Sequence, residues 1–290
     1  IRIGPASYRP PLEARPRQLS VTQVETWMRD PYAIYARHIL RLRELPELDA
    51  PPDRADYGTI IHGILDKFTA AHPAQLAVGA LDELLEMGRQ EFGRMLAQPG
   101  IWAFWWPKFE RIAAWFVETE AARRTGIERI HSEAKGRLDL EGPGGTFTLT
   151  AIADRIEILS GGGIGIGDYK TGAVPSAKEV AAGFSPQLPL EAAIAVAGGF
   201  DGIEAGEVTA LDYWRLTGTE PAGQVRSAGG EAAELAAEAH EGLLELIPRF
   251  DDPATPYEAR PRPAQAPRYS AYEHLARIKE WTAADGGEDA

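Results

Sequence analysis

Cysteine is missing from all 290 residues. That excludes disulfides, thiol catalysis, cysteine-ligated zinc and iron–sulfur clusters, and it fits a cytoplasmic location. Long apolar runs are missing too. None approaches the roughly 20 residues needed to cross a bilayer, and no secretory signal opens the chain, so no membrane partner is expected. The six histidines contain no His-x-x-x-His pair, which leaves a helical zinc motif without ligands. Positive charge is in deficit, with 30 Lys and Arg against 43 Asp and Glu and a net charge of −13. A protein that coats nucleic acid by bulk attraction needs the opposite balance. The deficit is uneven: residues 1–43 hold eight arginines against three acids, and residues 220–290 hold fourteen acids against seven basic residues. A basic amino-terminal arm could follow a phosphate backbone; solvated charge at both ends reads equally well.

Familiar nucleotide fingerprints fail as well. Gly161, Gly162, Gly163, Gly165 and Gly167 never satisfy G-x-G-x-x-G, and a strand pattern follows them rather than a helix. No P-loop lysine and no Gly-x-Ser-x-Gly elbow occur. What is present is an ordinary apolar fraction of 44%, enough for a sizeable core.

Residues 1–18, with four prolines and four arginines, read as an extended linker from a preceding domain. The chain begins at Ile1, which suggests a piece of a longer polypeptide. Residues 19–290 read as one domain: a helical part over 20–125, a sheet core over 128–218 and carboxy-terminal helices over 230–284. Ser20 caps an expected helix from Val21 to Leu42 that turns Trp27, Ile34 and Leu42 inward. A loop over 45–56 leads to a helix over 58–71, with further helices near 78–97 and 105–124. Trp105, Trp106 and Trp115 read as core rather than as a base-stacking platform.

Strands at Ile130–Leu140, Thr146–Leu159 and Ile164–Lys170 form an expected meander around two glycine turns. A helix over Pro186–Val196, a strand at Val208–Leu216, an acidic helix near 230–248, a loop over 253–267 and a helix over Ser270–Trp281 complete the pattern. The expected class is α/β with α+β character: a mixed central sheet, first an antiparallel meander and then a helix and strand, wrapped by helices.

Within the meander, period two puts Ile152, Asp154, Ile156 and Ile158 on one face, and Ile164, Ile166, Asp168 and Lys170 on one face of the return strand. A turn centred near Gly161 sets Asp154 opposite Asp168, at a Cβ separation of about 4.5–5.5 Å. Two facing carboxylates repel, and a divalent cation relieves the repulsion. Magnesium, or manganese with similar ligands, takes few carboxylates plus water and substrate phosphate. Lys170 shares the face of Asp168; a plain salt bridge is its other reading. Glu133 falls within about one residue of the position opposite Asp154 if the turn at Pro143 fixes the register. It is a third carboxylate for the site or a solvated strand residue. His62 sits in the apolar run Ile-Ile-His-Gly-Ile-Leu and, alone, reads as a core histidine. Gln187 opens a helix, where it could bond a phosphate or orient Lys170, or simply be a polar helix-start residue.

These residues resemble the PD-(D/E)xK nuclease superfamily, in its RecB-type branch with a restriction-endonuclease-like core. The likeness rests on His62-Gly63, on Asp154-Arg155-Ile156-Glu157, on Asp168-Tyr169-Lys170-Thr171-Gly172 and on Gln187-Leu188. Leu19-Ser20-Val21-Thr22, Trp27, Asp30-Pro31-Tyr32 and the tail Tyr272-Glu273-His274-Leu275-Ala276-Arg277 resemble the carboxy-terminal nuclease domain of the AddB family. AddB proteins are non-motor subunits of helicase–nucleases that process double-strand breaks. The resemblance implies Mg²⁺-dependent hydrolysis of DNA, exonucleolytic on single-stranded ends delivered by an AddA-like helicase–nuclease subunit. It implies metal ligands at Asp154, Asp168, His62 and the Tyr169 carbonyl, with Lys170 orienting water, Glu133 assisting and Gln187 steadying the substrate.

Two departures stand out. Many relatives clamp this domain with a four-cysteine iron–sulfur cluster; Asp30 stands near one of those positions, so packing must join the two ends instead. Glu191 stands where the branch often carries tyrosine. A silent DNA-binding or docking module, or a free-standing exonuclease of the same superfamily, are the alternative readings.

Overall fold

The computed structural model describes residues 7–45, 52–93, 99–267 and 269–285. The amino-terminal stretch is extended, as its prolines require, but it is not free of pairing. β1 (Ser7–Tyr8) and β2 (Gln18–Ser20) flank a 3-10 turn, and β2 joins the main sheet. α1 (Val21–Arg29) starts at Ser20 through a capping box with Gln23, satisfying orphan N–H groups at its first turn.

The expected single helix to Leu42 breaks at Asp30. A residue before proline is pushed out of the right-handed helical region, and Asp30 has φ −147° and ψ 73°. Pro31 then opens the short α2 (Pro31–Ile34), followed by a π turn over Tyr35–Ile39. Leu42 is exposed, whereas Trp27 and Ile34 are buried as expected.

α3 (Arg54–Ala71) begins four residues earlier than the apolar pattern suggested, because Asp53 and Asp56 form a capping box. Part of the loop expected over 45–56 lies outside the described residues. α4 (Ala80–Gly93) and α5 (Pro99–Arg123) complete the helical lobe, and the last residues of the helix expected near 78–97 also lie outside the described set. Ile61, Ile64, Leu65 and Phe68 of α3 meet Leu84 and Phe92 of α4 and Phe109, Ile112 and Phe116 of α5 in one apolar core. Trp106 is buried within it, and Trp105 and Trp115 pack against it.

β3 (Ile127–Gly142) and β4 (Gly145–Leu159) form a long hairpin with Gly142 opposite Gly145. β5 (Ile164–Lys170) runs antiparallel to β4, with Arg155 opposite Gly167 and Ile158 opposite Ile164. β3 accompanies β4 along its whole length, so β2 and β5 share the other edge of β4, β2 in parallel register at Gln18–Thr148. α6 (Ala177–Ala181) and α7 (Gln187–Val196) lead to β6 (Val208–Leu216), parallel to β5, and β7 (Gly223–Ser227) closes the sheet in antiparallel register. β2 and β7 were not foreseen.

α8 (Ala232–Asp251) packs on the sheet face opposite the helical lobe, with α1 and α7. β8 (Tyr257–Glu258) interrupts the expected loop and pairs with β1. The expected helix over Ser270–Trp281 is instead a run of turns, followed by α9 (Ile278–Asp285). Among the described residues, no helix is long and apolar enough to cross a membrane.

The sheet separates two cores. Ile156, Ile166, Leu211 and Tyr213 face α1, α7 and α8, while Tyr169 and Trp214 face the helical lobe. Between them, on the lobe side, Arg155 is fully buried. Its guanidinium lies 2.7 Å from Glu120, 2.6 Å from Glu157 and 4.8 Å from the centre of the Trp214 ring. Glycine makes the room: a Cβ on Gly167 would sit 3.2 Å from the Arg155 side chain and 3.1 Å from Trp214. A third, small core joins the two ends of the chain through Tyr32, Ala36, Ala259, Ala276, Ile278 and Trp281. Ser270 donates to Asp30 at 3.0 Å, and Tyr272 donates to the Leu42 carbonyl at 2.9 Å. This packing and hydrogen bonding fasten the termini in a chain that cannot hold a cysteine-ligated cluster.

Candidate active site

β4 and β5 part beyond the Arg155–Gly167 pair. Continuing the same register brings Asp154 to Asp168, as the turn centred on Gly161 required. Instead of a ladder bond, the Tyr169 backbone N–H donates to Asp154 Oδ2 at 2.8 Å. The carboxylate therefore closes the gap where the hairpin opens. The isoleucine-lined face ends sooner than the alternation suggested: Ile156 is buried, but Ile152, beyond Asp154, is 55% exposed.

Asp168 is buried on the α7 side of β5. Lys170 straddles its carboxylate, with Nζ 2.7 Å from Oδ1 and 2.6 Å from Oδ2, and has hydrogen-bond geometry to Oδ1. Gln187, at the first turn of α7, donates from Nε2 to Asp168 Oδ1 at 2.7 Å and accepts from Lys170 Nζ at 3.2 Å. Burial pushes the Asp168 carboxyl up from the ordinary range, Lys170 pulls it back and Asp154 pushes it further up. Burial disfavours the Lys170 ammonium, but the charges of Asp168 and Asp154 outweigh that and raise it.

His62 projects from α3 with Nδ1 3.4 Å from Asp154 Oδ1. Burial works against its imidazolium, yet its hydrogen bond to Asp154 and the charges of Asp154 and Asp168 carry its pKa upward. Glu133 stands opposite Asp154, between the observed pairs Ser132–Arg155 and Ala134–Ala153. It has a left-handed backbone, φ 47°, which side chains other than glycine and asparagine adopt at a cost. Its carboxyl is exposed; partial burial and then the charges of Asp154 and Asp66 hold it above the usual range. A cavity of about 560 Å³ lined by Gly58, His62, Gly63, Asp66 and Glu133 opens beside these groups. The Tyr169 side chain points into the opposite core, toward Arg155 at 3.4 Å, so only its backbone can serve the site.

Sequence reasoning gave Glu191 no role beyond marking a departure. It lies one turn after Gln187, which donates to its Oε1 at 3.3 Å, and its Oε2 is buried without a hydrogen-bond partner. Burial first, then Asp168 and Asp154, raise its pKa well above the carboxylate norm. Its i, i+4 spacing from Gln187 was the available signal. Two further neighbours of the cluster had no place in the sequence reading. Tyr213 sits on β6 in register with Asp168, and Glu25 on α1 lies within the field of Lys170.

Among the described residues, no three acidic or histidine side chains form a ready cation cage; Lys170 neutralises Asp168 instead. The donor chemistry nonetheless suits a hard divalent cation. His62 on α3 lies 3.4 Å from Asp154 on β4, and Asp168 on β5 has an Oδ2 that is buried with no hydrogen bond beyond its ion pair with Lys170. Oxygen-rich sets of this kind suit magnesium or manganese.

A sequence model of the PD-(D/E)XK nuclease superfamily matches residues 18–271. An uncharacterized protein of Rickettsia bellii is 32% identical over 246 residues, covering 80% of this chain and 29% of its own. Uncharacterized proteins of Rickettsia conorii and Rickettsia felis are 33% and 34% identical, each covering 64% of this chain and 23% and 22% of their own. The chain thus spans less than a third of the length of these relatives.

Proposed function

The chain belongs to the PD-(D/E)XK nuclease superfamily, and we propose that it is a Mg²⁺-dependent deoxyribonuclease acting exonucleolytically on single-stranded ends. The observation that carries this reading is the Asp154–Tyr169 bond beside the Asp168–Lys170–Gln187 cluster, which gathers two carboxylates and an ammonium at one strand end. Asp154, Asp168, His62 and the Tyr169 carbonyl would hold the cation. When bound, the cation supplies charge neutralisation at the phosphate and activation of water.

The remaining work falls to the chain. Phosphoryl transfer needs positioning and electrostatic stabilisation more than covalent help. Lys170, whose ammonium is favoured by the charges of Asp168 and Asp154, would donate toward the attacking water or a phosphate oxygen. Gln187 accepts from Lys170 and so fixes the direction of that ammonium. Glu133, with its raised pKa and access to the cavity, orients water or takes a proton.

The wider setting follows from the flanks. The amino-terminal and tail motifs resemble AddB, and the relatives are several-fold longer than the matched region. Both support a place in a helicase–nuclease for double-strand break repair, with an AddA-like motor subunit delivering the strand. The test is to incubate the chain with end-labelled single- and double-stranded DNA, with Mg²⁺, with Mn²⁺ and with chelator. Chelator-sensitive shortening of single strands supports the reading; intact DNA in every arm, including an arm with the full helicase complex, overturns it.

A further inference from the structure

Three arginines within seven residues, Arg37, Arg41 and Arg43, are exposed and have no hydrogen bond or carboxylate partner among the described residues. Arg15, Arg17, Arg123, Arg124 and Arg155, by contrast, are engaged in hydrogen bonds or ion pairs. Arg37 and Arg43 line a polar pocket of about 600 Å³ with Gln23 and His38. The Nε2 of His38 is buried there without a hydrogen-bond partner. Glu44 on the same wall is bonded to the Tyr269 hydroxyl.

This pocket is not isolated. A second one, of about 390 Å³, runs along α1 past Glu25, Thr26 and Arg29, and both are bordered by Ala271 and Tyr272. Glu25 in turn lies within the field of Lys170 and Asp168. The two pockets form one trough along α1, whose nine residues span about 13 Å.

We infer that this trough carries the phosphodiester backbone of single-stranded DNA away from the catalytic cluster, with Arg37 and Arg43 binding phosphates at its far end. The inference rests on the nuclease reading for its ligand class. Guanidinium groups match phosphate geometry and stay charged at any working pH, and phosphate contacts hold a strand in place without reading its sequence.

The test measures binding, not turnover. Fluorescently labelled oligothymidines of about 8 and about 24 nucleotides are titrated by anisotropy, in chelator, against the chain and its Arg37→Glu/Arg43→Glu variant. The dissociation constant for the long oligomer should rise at least tenfold, and the slope of log affinity against log salt should fall by about 1.4, near 0.7 for each lost phosphate contact. The short oligomer should change less than twofold. Equal affinity and equal salt slope for the long oligomer overturn the inference. Arg37→Gln/Arg43→Gln repeats the comparison if the charge reversal disturbs the fold by circular dichroism. Arginine-dependent binding with no cleavage, by the chain alone or within the full helicase complex, would sink the nuclease reading alone; cleavage with arginine-independent binding would sink this one alone.

Discussion

The Tyr169 amide and the Asp154 carboxylate are joined at 2.8 Å where β4 and β5 would otherwise separate. One oxygen of Asp154 is thereby spent on holding β5, and the other faces His62 at 3.4 Å. The backbone of one strand thus aims the acid of its neighbour.

Asp168→Asn and Asp154→Asn should each lower Mg²⁺-dependent DNA cleavage by at least about 100-fold, the scale of losing one strong electrostatic contributor. Asp168→Asn should keep the wild-type circular dichroism spectrum, since the amide can still accept from Gln187. Asp154→Asn should also soften the β4–β5 junction, read as faster amide exchange at Tyr169.

Glu191 gives a pH signature. Its folded-state pKa lies well above 4.5, so between that value and its raised pKa the folded chain holds a proton that the unfolded chain has released. Stability should therefore fall as pH rises through that window, by about 1.4 kcal/mol for each unit of displacement. Glu191→Gln should flatten the fall. Melting curves from pH 5 to pH 9 that run parallel for both proteins would count against a protonated Glu191.

The buried Arg155 ties β4 to α5 directly behind Asp154. Arg155→Met removes the cation shared by Glu120 and Glu157, leaving each with one remaining arginine, Arg124 and Arg123 respectively, and should cost about 3–5 kcal/mol in urea unfolding. Adding Glu120→Gln should recover part of the loss, because the buried negative charge that Arg155 had balanced is then reduced.

Trp281 sits in the small core that joins the two ends and donates to the Ala276 carbonyl at 3.1 Å. Trp281→Ala should cost about 3–5 kcal/mol if that core unfolds with the rest. A smaller loss, with early proteolytic clipping beyond residue 268, would mean that the tail opens by itself.

The sheet was the most legible part of the sequence. Period-two alternation and the glycine turn gave the Asp154–Asp168 register, and β6 has the bounds its apolar pattern implied, Val208–Leu216. The Glu133 position followed from the Pro143 turn, but its left-handed backbone did not, since no local pattern marks that conformation in a glutamate. β2 was illegible because three residues pairing in parallel with a distant strand leave no local trace. The break at Asp30 was readable in principle from Pro31 and was overruled by the apolar spacing around it. Buried contacts such as Arg155 on Glu120 depend on tertiary packing, and the sequence offers only Gly167, which makes space beside the Arg155 side chain.

Neighbouring side chains of β5 serve opposite interiors, Asp168 toward α7 and Tyr169 toward Trp214. Sliding that segment by a single position would drive a carboxylate among aromatic rings and leave a phenol in the polar cleft. Asp168 therefore cannot be retuned by shifting the segment that carries it. Any adjustment of reach must come from the flanking helices, where Gln187 and His62 can move without trading places across the layer.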